Sequence, residues 1–165
     1  FKRTNARIMG LNIGGGDTHV SQGQLYGKHR QLLGNVANAF QAFHRDMQEQ
    51  WEDVLIVTMT EFGRTSKENG SRGTDHADST AMFVAGGAVK GGVYNCDRSS
   101  WKNGDMFSTK NGRYLDRKTD FRSVFGEIFS DHFGNTRKQL EQVIPTYAKA
   151  KKDNPMDFKK LGFMK

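Results

Sequence analysis

The stretch DVLIVTMTEFGRTSKENGSRGTDH, residues 53–76, decides the fold that this sequence predicts. Its apolar run at 54–59 indicates a buried strand, which stops abruptly at Thr60-Glu61. A polar loop rich in Gly, Ser and Asn follows and ends in Thr74-Asp75-His76. In α/β proteins a buried strand often delivers polar residues to the loop at its carboxyl end, where ligands bind. The stretch therefore predicts a functional loop on a buried strand.

The residues before this stretch predict the first half of a βαβ unit. Residues 6–13, ARIMGLNI, indicate a short buried strand that the glycines at 14–16 interrupt. Residues 25–50 then show apolar side chains at three- and four-residue steps, which predicts an amphipathic helix. A crossover of this length makes the two strands parallel, so their carboxyl ends meet at one edge of the sheet. We therefore expect Asp17 and His19 to face the same crevice as Thr60 and Glu61.

The second half of the chain continues the α/β pattern. Residues 80–85 predict a third strand, and residues 120–133 and 136–143 predict two helices. Between them, the polar region 95–118 carries Asn-Gly turn signals at 103–104 and 111–112. The predicted fold class is thus α/β, with a largely parallel sheet.

Composition limits the class of partner. The 165 residues carry a net charge of +7, which suits anionic partners such as phosphate esters, sulfate esters, polysaccharides or nucleic acid. Residues 149–165 hold six lysines against two aspartates, so we treat 1–148 as the domain and 149–165 as a basic tail.

With Cys96 as the single cysteine, intrachain disulfides and cysteine-based zinc sites are excluded. No apolar stretch reaches the roughly 20 residues of a membrane span, and no leader sequence is visible.

The chemistry-bearing residues cluster at the predicted strand ends. Five carboxylates and imidazoles could bind a divalent metal ion: Asp17, His19, Glu61, Asp75 and His76. Arg64 and Arg72 flank the same loop and could neutralise a substrate oxyanion. Two simpler interpretations stay open: the glycines and Asp17 could form a plain capped turn, and the arginines could be surface charges. There is no phosphate-binding P-loop, no G-x-S-x-G elbow and no H-E-x-x-H motif.

Four motifs together resemble a known family. They are G-G-x-D-T-H at 14–19, T-E-F-G-R-T at 60–65, G-T-D-H at 73–76 and G-G-x-V-K-G-G at 86–92. This series resembles the bacterial domain-of-unknown-function 1501 family, which is similar to the alkaline phosphatase and sulfatase superfamily. Asp120-Phe121-Arg122 also resembles the D-x-R of that family.

The resemblance implies a parallel-sheet, three-layer α/β/α sandwich of the alkaline phosphatase type, of which this chain would be the carboxyl-terminal part. It implies a divalent metal (zinc, manganese, calcium or iron) serving hydrolysis of a phosphate or sulfate ester on a small molecule or a polysaccharide. Asp17, His19, Glu61, Asp75 and His76 would be metal ligands, Arg64 would be catalytic, and Arg64 and Arg72 would bind substrate. Family members are often exported, so a periplasmic location is expected.

The chain also departs from the superfamily pattern. Phe62 stands where a second metal-binding histidine would be, and the superfamily's nucleophile lies in a segment that precedes these motifs. Two alternatives therefore stay open: a non-catalytic relative that binds an anionic ligand, and a basic nucleic-acid-binding protein.

Overall fold

Four α-helices and four short strands make up the regular structure of the described residues. The computed structural model describes residues 5–95, 113–115, 117–155 and 157–165. In chain order the elements are α1 (Lys28–Asp46), a 3₁₀ helix (Gln48–Asp53), β1 (Leu55–Val57), β2 (Gly63–Arg64), β3 (His76–Ala77), β4 (Val84–Gly86), α2 (Phe121–Asp131), α3 (Arg137–Val143) and α4 (Tyr147–Asp153). Cys96 and the predicted turns at 103–104 and 111–112 lie outside the described residues.

The strands form two separate antiparallel pairs. β1 pairs with β4, with Ile56 opposite Ala85, and β2 pairs with β3, with Arg64 opposite His76. The pairs are nested, because the loop from β1 to β4 contains β2 and β3. The strands predicted at 54–59 and 80–85 correspond to β1 and β4, which are shorter than predicted. Residues 60–80, which contain β2 and β3, therefore form part of the connection between β1 and β4.

The strand predicted at 6–13 is not formed. These residues have no regular secondary structure, and Ile8 and Leu11 are 73% and 89% exposed. A strand is stabilised by its partners, and no strand in the described part of the chain pairs with this segment. The parallel three-layer sandwich is likewise not seen among the described residues, and it stays a prediction.

Helix α1 confirms the amphipathic pattern predicted at 25–50, although the last turns are the 3₁₀ helix. None of its own residues is buried, and its apolar side chains at 32, 36, 40 and 43 are half-buried. Met47, which follows α1, is buried at 2% exposure. Helix α1 therefore presents an apolar face that is only partly covered.

The core lies between α2, the first strand pair and the carboxyl-terminal segment. Val124 and Ile128 of α2 pack with Phe163 and Met164, and side chains of β1 and β4 surround this cluster. Asp120 caps α2 by accepting from the backbone N–H of Arg122. Helix α3 begins with a reciprocal capping box between Thr136 and Gln139. The helices predicted at 120–133 and 136–143 are thus confirmed.

A buried carboxylate fixes the end of the chain. Glu127 of α2 is 3% exposed and accepts four backbone N–H groups. Its Oε2 accepts from Leu161 at 2.7 Å and Gly162 at 3.1 Å. Its Oε1 accepts from Phe163 at 2.7 Å and Met164 at 3.2 Å. The residues predicted as a basic tail thus begin within α4 and end inside the core.

None of the helices in the described part of the chain combines the length and the apolar composition that crossing a membrane requires.

Candidate metal centre

Two segments, 17–22 and 69–76, run side by side and carry most of the predicted site residues. Val20 and Arg72 form an antiparallel bridge at the middle of this ribbon. Three further backbone hydrogen bonds join the segments: Ser21 N to Ser71 O at 3.0 Å, Gln22 N to Arg72 O at 2.9 Å and Thr74 N to Thr18 O at 3.2 Å. The ribbon places Asp17 and His19 beside His76, although the predicted crossover between parallel strands is not what brings them together.

Gly73 allows the two segments to approach each other this closely. A Cβ atom at this position would lie 2.2 Å from the carbonyl carbon and oxygen of His19 and 2.6 Å from the carbonyl oxygen of Thr18. Such distances are far below van der Waals contact, so any larger residue would push the segments apart. The glycine of the G-T-D-H motif therefore sets the distance between the two halves of the site.

Three ligand-type atoms converge at the end of the ribbon. Nε2 of His19 lies 3.0 Å from Oδ1 of Asp17, and Nε2 of His76 lies 3.0 Å from the same oxygen. The two Nε2 atoms are 3.1 Å apart. All three side chains are about half exposed, at 49%, 44% and 49% in chain order. We call this group the Asp-His-His triad; it could hold a metal ion that remains accessible from solvent.

Asp75 orients the ring of His19 from behind the triad. Nδ1 of His19 lies 3.3 Å from Oδ1 of Asp75. In the neutral ring, a proton on Nδ1 donates to this carboxylate, which leaves a lone pair on Nε2 facing the triad. A carboxylate that holds the far nitrogen of a histidine is a common arrangement around metal-binding histidines. Asp75 therefore supports the triad and does not belong to it.

The carboxylate of Asp75 is itself firmly held. Its Oδ1 accepts from Nδ2 of Asn69 at 2.9 Å, and its Oδ2 accepts from Arg113. The hydrogen bonds from Asn69 and His19, with the positive charge of Arg113, outweigh desolvation and lower the pKa of Asp75 below its usual 3.8. Asp75 is therefore ionised at neutral pH and available to accept from the imidazole.

Arg64 lies against the triad from the other side. Its guanidinium donates to Oδ1 of Asp17, and Nε donates to Oγ1 of Thr74 at 3.0 Å. A further N–H donates to the carbonyl oxygen of Thr74. Partial burial raises the pKa of Asp17, but the hydrogen bonds from Arg64 and His76 and the nearby imidazoles lower it further, to below 3.8. Asp17 is thus a charged oxygen ligand at neutral pH.

Phe62 supports His76 by stacking. The two rings are 3.7 Å apart between centroids and 17° from parallel. The resemblance places Phe62 at a position where superfamily members have a metal-binding histidine. In the structure, the phenyl ring of Phe62 packs flat against the imidazole of His76 and limits the rotation of the imidazole.

Two contributors, Asn69 and Gln22, were not anticipated from the sequence. Asn69 binds Asp75 and also donates to the carbonyl oxygen of His19 at 3.0 Å. Gln22 accepts through Oε1 from Thr18 at 2.8 Å and from Thr74 at 2.7 Å, which ties the two segments together through their side chains. The only sequence signal for these roles is their proximity to the D-T-H and T-D-H motifs.

Two predicted site residues lie outside the cluster. Glu61 is exposed in the bend before β2 and makes no hydrogen bond or ion pair with any described residue. Arg72 contributes its backbone to the ribbon, and its side chain lines a neighbouring open cleft. The structure therefore groups Asp17, His19 and His76, with Asp75 and Arg64 against them.

The arrangement combines a cation-binding triad with an adjacent guanidinium. Two imidazole nitrogens and one carboxylate oxygen form a ligand set suited to a first-row transition metal or zinc. Arg64 has five N–H groups and donates three of them to Asp17 and Thr74, which leaves two for an incoming anion. The site can thus hold a cation and an oxyanion side by side.

Comparisons with known proteins identify the family and no closer relative. No curated protein and no solved structure matches the chain significantly. The family model described as a protein of unknown function, DUF1501, matches residues 1–110 of the 165, a range that includes the triad, Asp75 and Arg64. The chain therefore belongs to the DUF1501 family.

Proposed function

We propose that this chain carries the metal-binding centre of a hydrolase that acts on a phosphate or sulfate ester, as in the alkaline phosphatase and sulfatase superfamily. The observation that carries the proposal is the convergence of Asp17 Oδ1, His19 Nε2 and His76 Nε2 within 3.1 Å of one another, with Arg64 against them. We also propose, from the same resemblance, that the whole protein folds as an α/β/α sandwich and is exported from the cytoplasm.

The triad fits a transition-metal ion better than calcium. With bonds of about 2.1 Å, neighbouring ligands lie about 3.0 Å apart around an octahedral ion and about 3.4 Å apart around a tetrahedral one, so the three separations are compatible with either after a small adjustment. Imidazole nitrogen suits zinc, iron and manganese, whereas calcium takes oxygen ligands. Asp75 supplies the supporting carboxylate that such a site needs behind its histidine. We therefore favour zinc, iron or manganese.

The roles of the chain's own residues follow from their positions. A bound divalent ion would supply Lewis-acid activation of the ester and of a water molecule. Asp17, His19 and His76 would hold the ion, and Asp75 would fix the tautomer of His19. The two remaining N–H groups of Arg64 would bind the non-bridging oxygens of the ester and stabilise the charge that develops on them.

Metal analysis of the purified protein tests whether the triad binds a metal ion. We expect about one equivalent of a transition metal or zinc, lost in the double variant His19→Ala/His76→Ala. His29→Ala on α1 serves as the matched control and should retain the metal. Equal metal content in the wild type and the double variant would refute the proposal that the triad binds the metal.

Turnover of a phosphate or sulfate ester tests whether the metal-loaded protein is a hydrolase. The metal-loaded protein should hydrolyse an aryl phosphate or an aryl sulfate, and Arg64→Ala should lower kcat/KM by about 100-fold or more because an oxyanion-stabilising donor is lost. Arg64→Lys restores the charge without the planar fork, so it should recover only part of the rate. Full activity in Arg64→Ala would show that the guanidinium has no catalytic role.

A non-catalytic anion-binding role is the second candidate, and the separations within the triad favour it too. Distances of 3.0 Å are also hydrogen-bond distances, so the Nε2–H groups of both imidazoles could donate to Oδ1 of Asp17 without a metal. Such a cluster beside Arg64 would bind an anion. Sulfate binding that is unchanged by a chelator, together with no ester turnover, would favour this role over hydrolysis.

Nucleic-acid binding is the least supported candidate. Three of the six tail lysines pair with carboxylates: Lys149 with Asp153, Lys160 with Asp131 and Lys165 with Glu52. These ion pairs neutralise half of the lysine charges in residues 149–165, which leaves less positive charge for a nucleic acid.

A further inference from the structure

An open cleft next to the metal centre offers a second ligand site. It encloses about 490 Å³, a volume typical of small-molecule sites, and its lining includes Ser21, Gln24, Tyr26, Glu68 and Arg72. We call it the Tyr26 cleft. The residues that line it come from the same two regions of chain that form the ribbon and the metal centre.

The side chains of the Tyr26 cleft are available to a ligand. Tyr26 is 80% exposed, and the guanidinium of Arg30 lies 5.4 Å from its ring centroid, which covers one face and leaves the other open. Gln24, Glu68 and Arg72 make no side-chain hydrogen bond or ion pair within the described residues. An aromatic face thus lies beside an amide, a carboxylate and a guanidinium that have no partner in the part of the chain that the structure describes.

This combination of groups suits a saccharide ring. Sugar hydroxyls donate and accept, and here Arg72 can donate to them, Glu68 can accept from them and Gln24 can do both. The apolar face of a sugar can pack on the open side of the Tyr26 ring. A purely anionic ligand would pair with Arg72 but leave the carboxylate of Glu68 without a donor, and a purely apolar one would leave all three polar groups without partners.

The position and the backbone of the cleft connect it with the metal centre. Ser21 is two residues from His19, and Arg72 is four residues from His76, so with consecutive Cα atoms about 3.8 Å apart the Cα atoms of the two pairs lie at most about 8 Å and about 15 Å apart. Ser21 and Arg72 both adopt left-handed backbone conformations, with φ of 47° and 59°. Such strain in non-glycine residues is concentrated at ligand-binding sites.

We propose that the Tyr26 cleft binds a saccharide ring of a carbohydrate ester whose sulfate or phosphate group is held at the metal centre. This inference rests on the proposed function and narrows its substrate class to carbohydrate esters. It also assigns Arg72 to recognition of the sugar, whereas Arg64 faces the ester that is cleaved.

Binding to an array of sulfated and unsulfated oligosaccharides tests the cleft, with the protein applied once with zinc and once with EDTA. We expect the wild type to bind sulfated members, and Tyr26→Ala and Arg72→Ala each to weaken binding by about 10-fold or more. Tyr26→Phe keeps the ring and should retain most of the affinity. Phe83→Ala and Arg137→Ala remove an exposed aromatic and an exposed arginine elsewhere and should change nothing.

The outcomes separate this inference from the proposed function. If the protein binds metal at the triad but no oligosaccharide, or if the cleft variants bind as well as the wild type, the saccharide site is refuted and the metal centre stands. If it binds oligosaccharides through Tyr26 while His19→Ala/His76→Ala changes neither metal content nor turnover, the saccharide site stands and the hydrolase proposal fails. In both experiments, Tyr26→Ala should retain the metal content of the wild type.

Discussion

At the scale of single residues, Asn69 is the side chain that connects the most parts of the site. Its Nδ2 donates to the carbonyl oxygen of His19 and to Oδ1 of Asp75. Its Oδ1 accepts from the backbone N–H groups of Ser71 at 2.9 Å and Gly73 at 3.0 Å. A primary amide has two donors and two lone pairs, so every hydrogen-bonding group of Asn69 is used.

Replacing Asn69 by Ala should therefore weaken metal binding without removing a ligand. The substitution frees Asp75 to move and loosens the loop that carries His76, so we expect the dissociation constant for zinc to rise by about 10- to 100-fold. Titration with zinc against a competing chelator measures it. Asn35→Ala on the exposed face of α1 is the control; identical constants for the two variants would contradict this role.

A second residue-level prediction concerns Asp120, which caps α2 and pairs with Arg122. Burial raises the pKa of Asp120, but the hydrogen bonds and charge of Arg122 lower it further, to below 3.8. A lowered pKa stabilises the fold above pH 3.8, and this stabilisation is lost as the pH falls through the folded-state value. Asp120→Asn keeps the cap and removes the charge.

The free energy of unfolding should thus differ between wild type and Asp120→Asn by about 1 kcal/mol near neutral pH, and the difference should shrink below pH 4 or so. Urea denaturation at several pH values measures it. Asp153→Asn, which removes an exposed pair with Lys149, should show no such trend. A difference for Asp120→Asn that stays constant with pH would mean that the ion pair does not stabilise the fold.

The sequence could identify the ligand-type residues of the site but not the residues that position them. Asp17, His19 and His76 are recognisable because carboxylates and imidazoles that follow glycines in predicted loops are candidate metal ligands. Glu61 has the same chemistry and a similar location, yet it lies outside the triad, because side-chain direction depends on the loop conformation. Asn69 was missed for the same reason: its role depends on the backbone N–H groups that the loop turns toward it.

At the scale of elements, helices were more predictable than strands. Helices α2 and α3 have local signals, an apolar stripe and a capping residue, and both form close to the predicted bounds. A strand depends on a partner that is distant in sequence, and periodicity does not reveal that partner. Residues 6–13 have the apolar composition of a strand but have no strand beside them in the described part of the chain. Antiparallel pairing of β1 with β4 was missed for the same reason.

Within the ribbon, Gly73 sets the separation of the two segments, and metal affinity should depend on that separation. Gly73→Ala places a methyl group against the backbone of His19, so the segments should separate and the affinity for zinc should fall by about 10-fold or more. Gly70→Ala in the same loop meets nothing within 4 Å and should bind zinc as the wild type does. Equal loss in both variants would indicate that loop flexibility, rather than the close approach, determines affinity.

At the scale of the whole molecule, the core joins segments that are far apart in sequence. Residues from β1 and α2 meet Leu161, Phe163 and Met164 around Ile128. The lysines of 149–165 predict a solvated or packing extension, and three apolar side chains among them, Phe158, Phe163 and Met164, are buried. Composition averages over both kinds of residue, so it could not distinguish a tail from a segment that completes the core.

Glu127 should be the most sensitive polar residue for global stability. Glu127→Gln replaces one acceptor oxygen by an NH₂ group that faces two backbone N–H donors, so we expect a loss of about 2–4 kcal/mol in the free energy of unfolding. Chemical denaturation measures it. Glu141→Gln affects only an exposed pair with Arg137 and should cost less than about 1 kcal/mol. Equal stability of these two variants would contradict the anchoring role of Glu127.

The contact between Glu127 and the end of the chain also restricts which residues can occupy that end. The carboxylate recognises main-chain N–H groups at positions 161 to 164 and no side chain, so many substitutions at 161, 163 and 164 would leave the four hydrogen bonds intact, whereas the φ of 73° at Gly162 favours glycine. Proline is the exception, because it has no N–H to donate. Proline scanning of these four positions would therefore map the anchor one hydrogen bond at a time, and the ring should be tolerated at none of them.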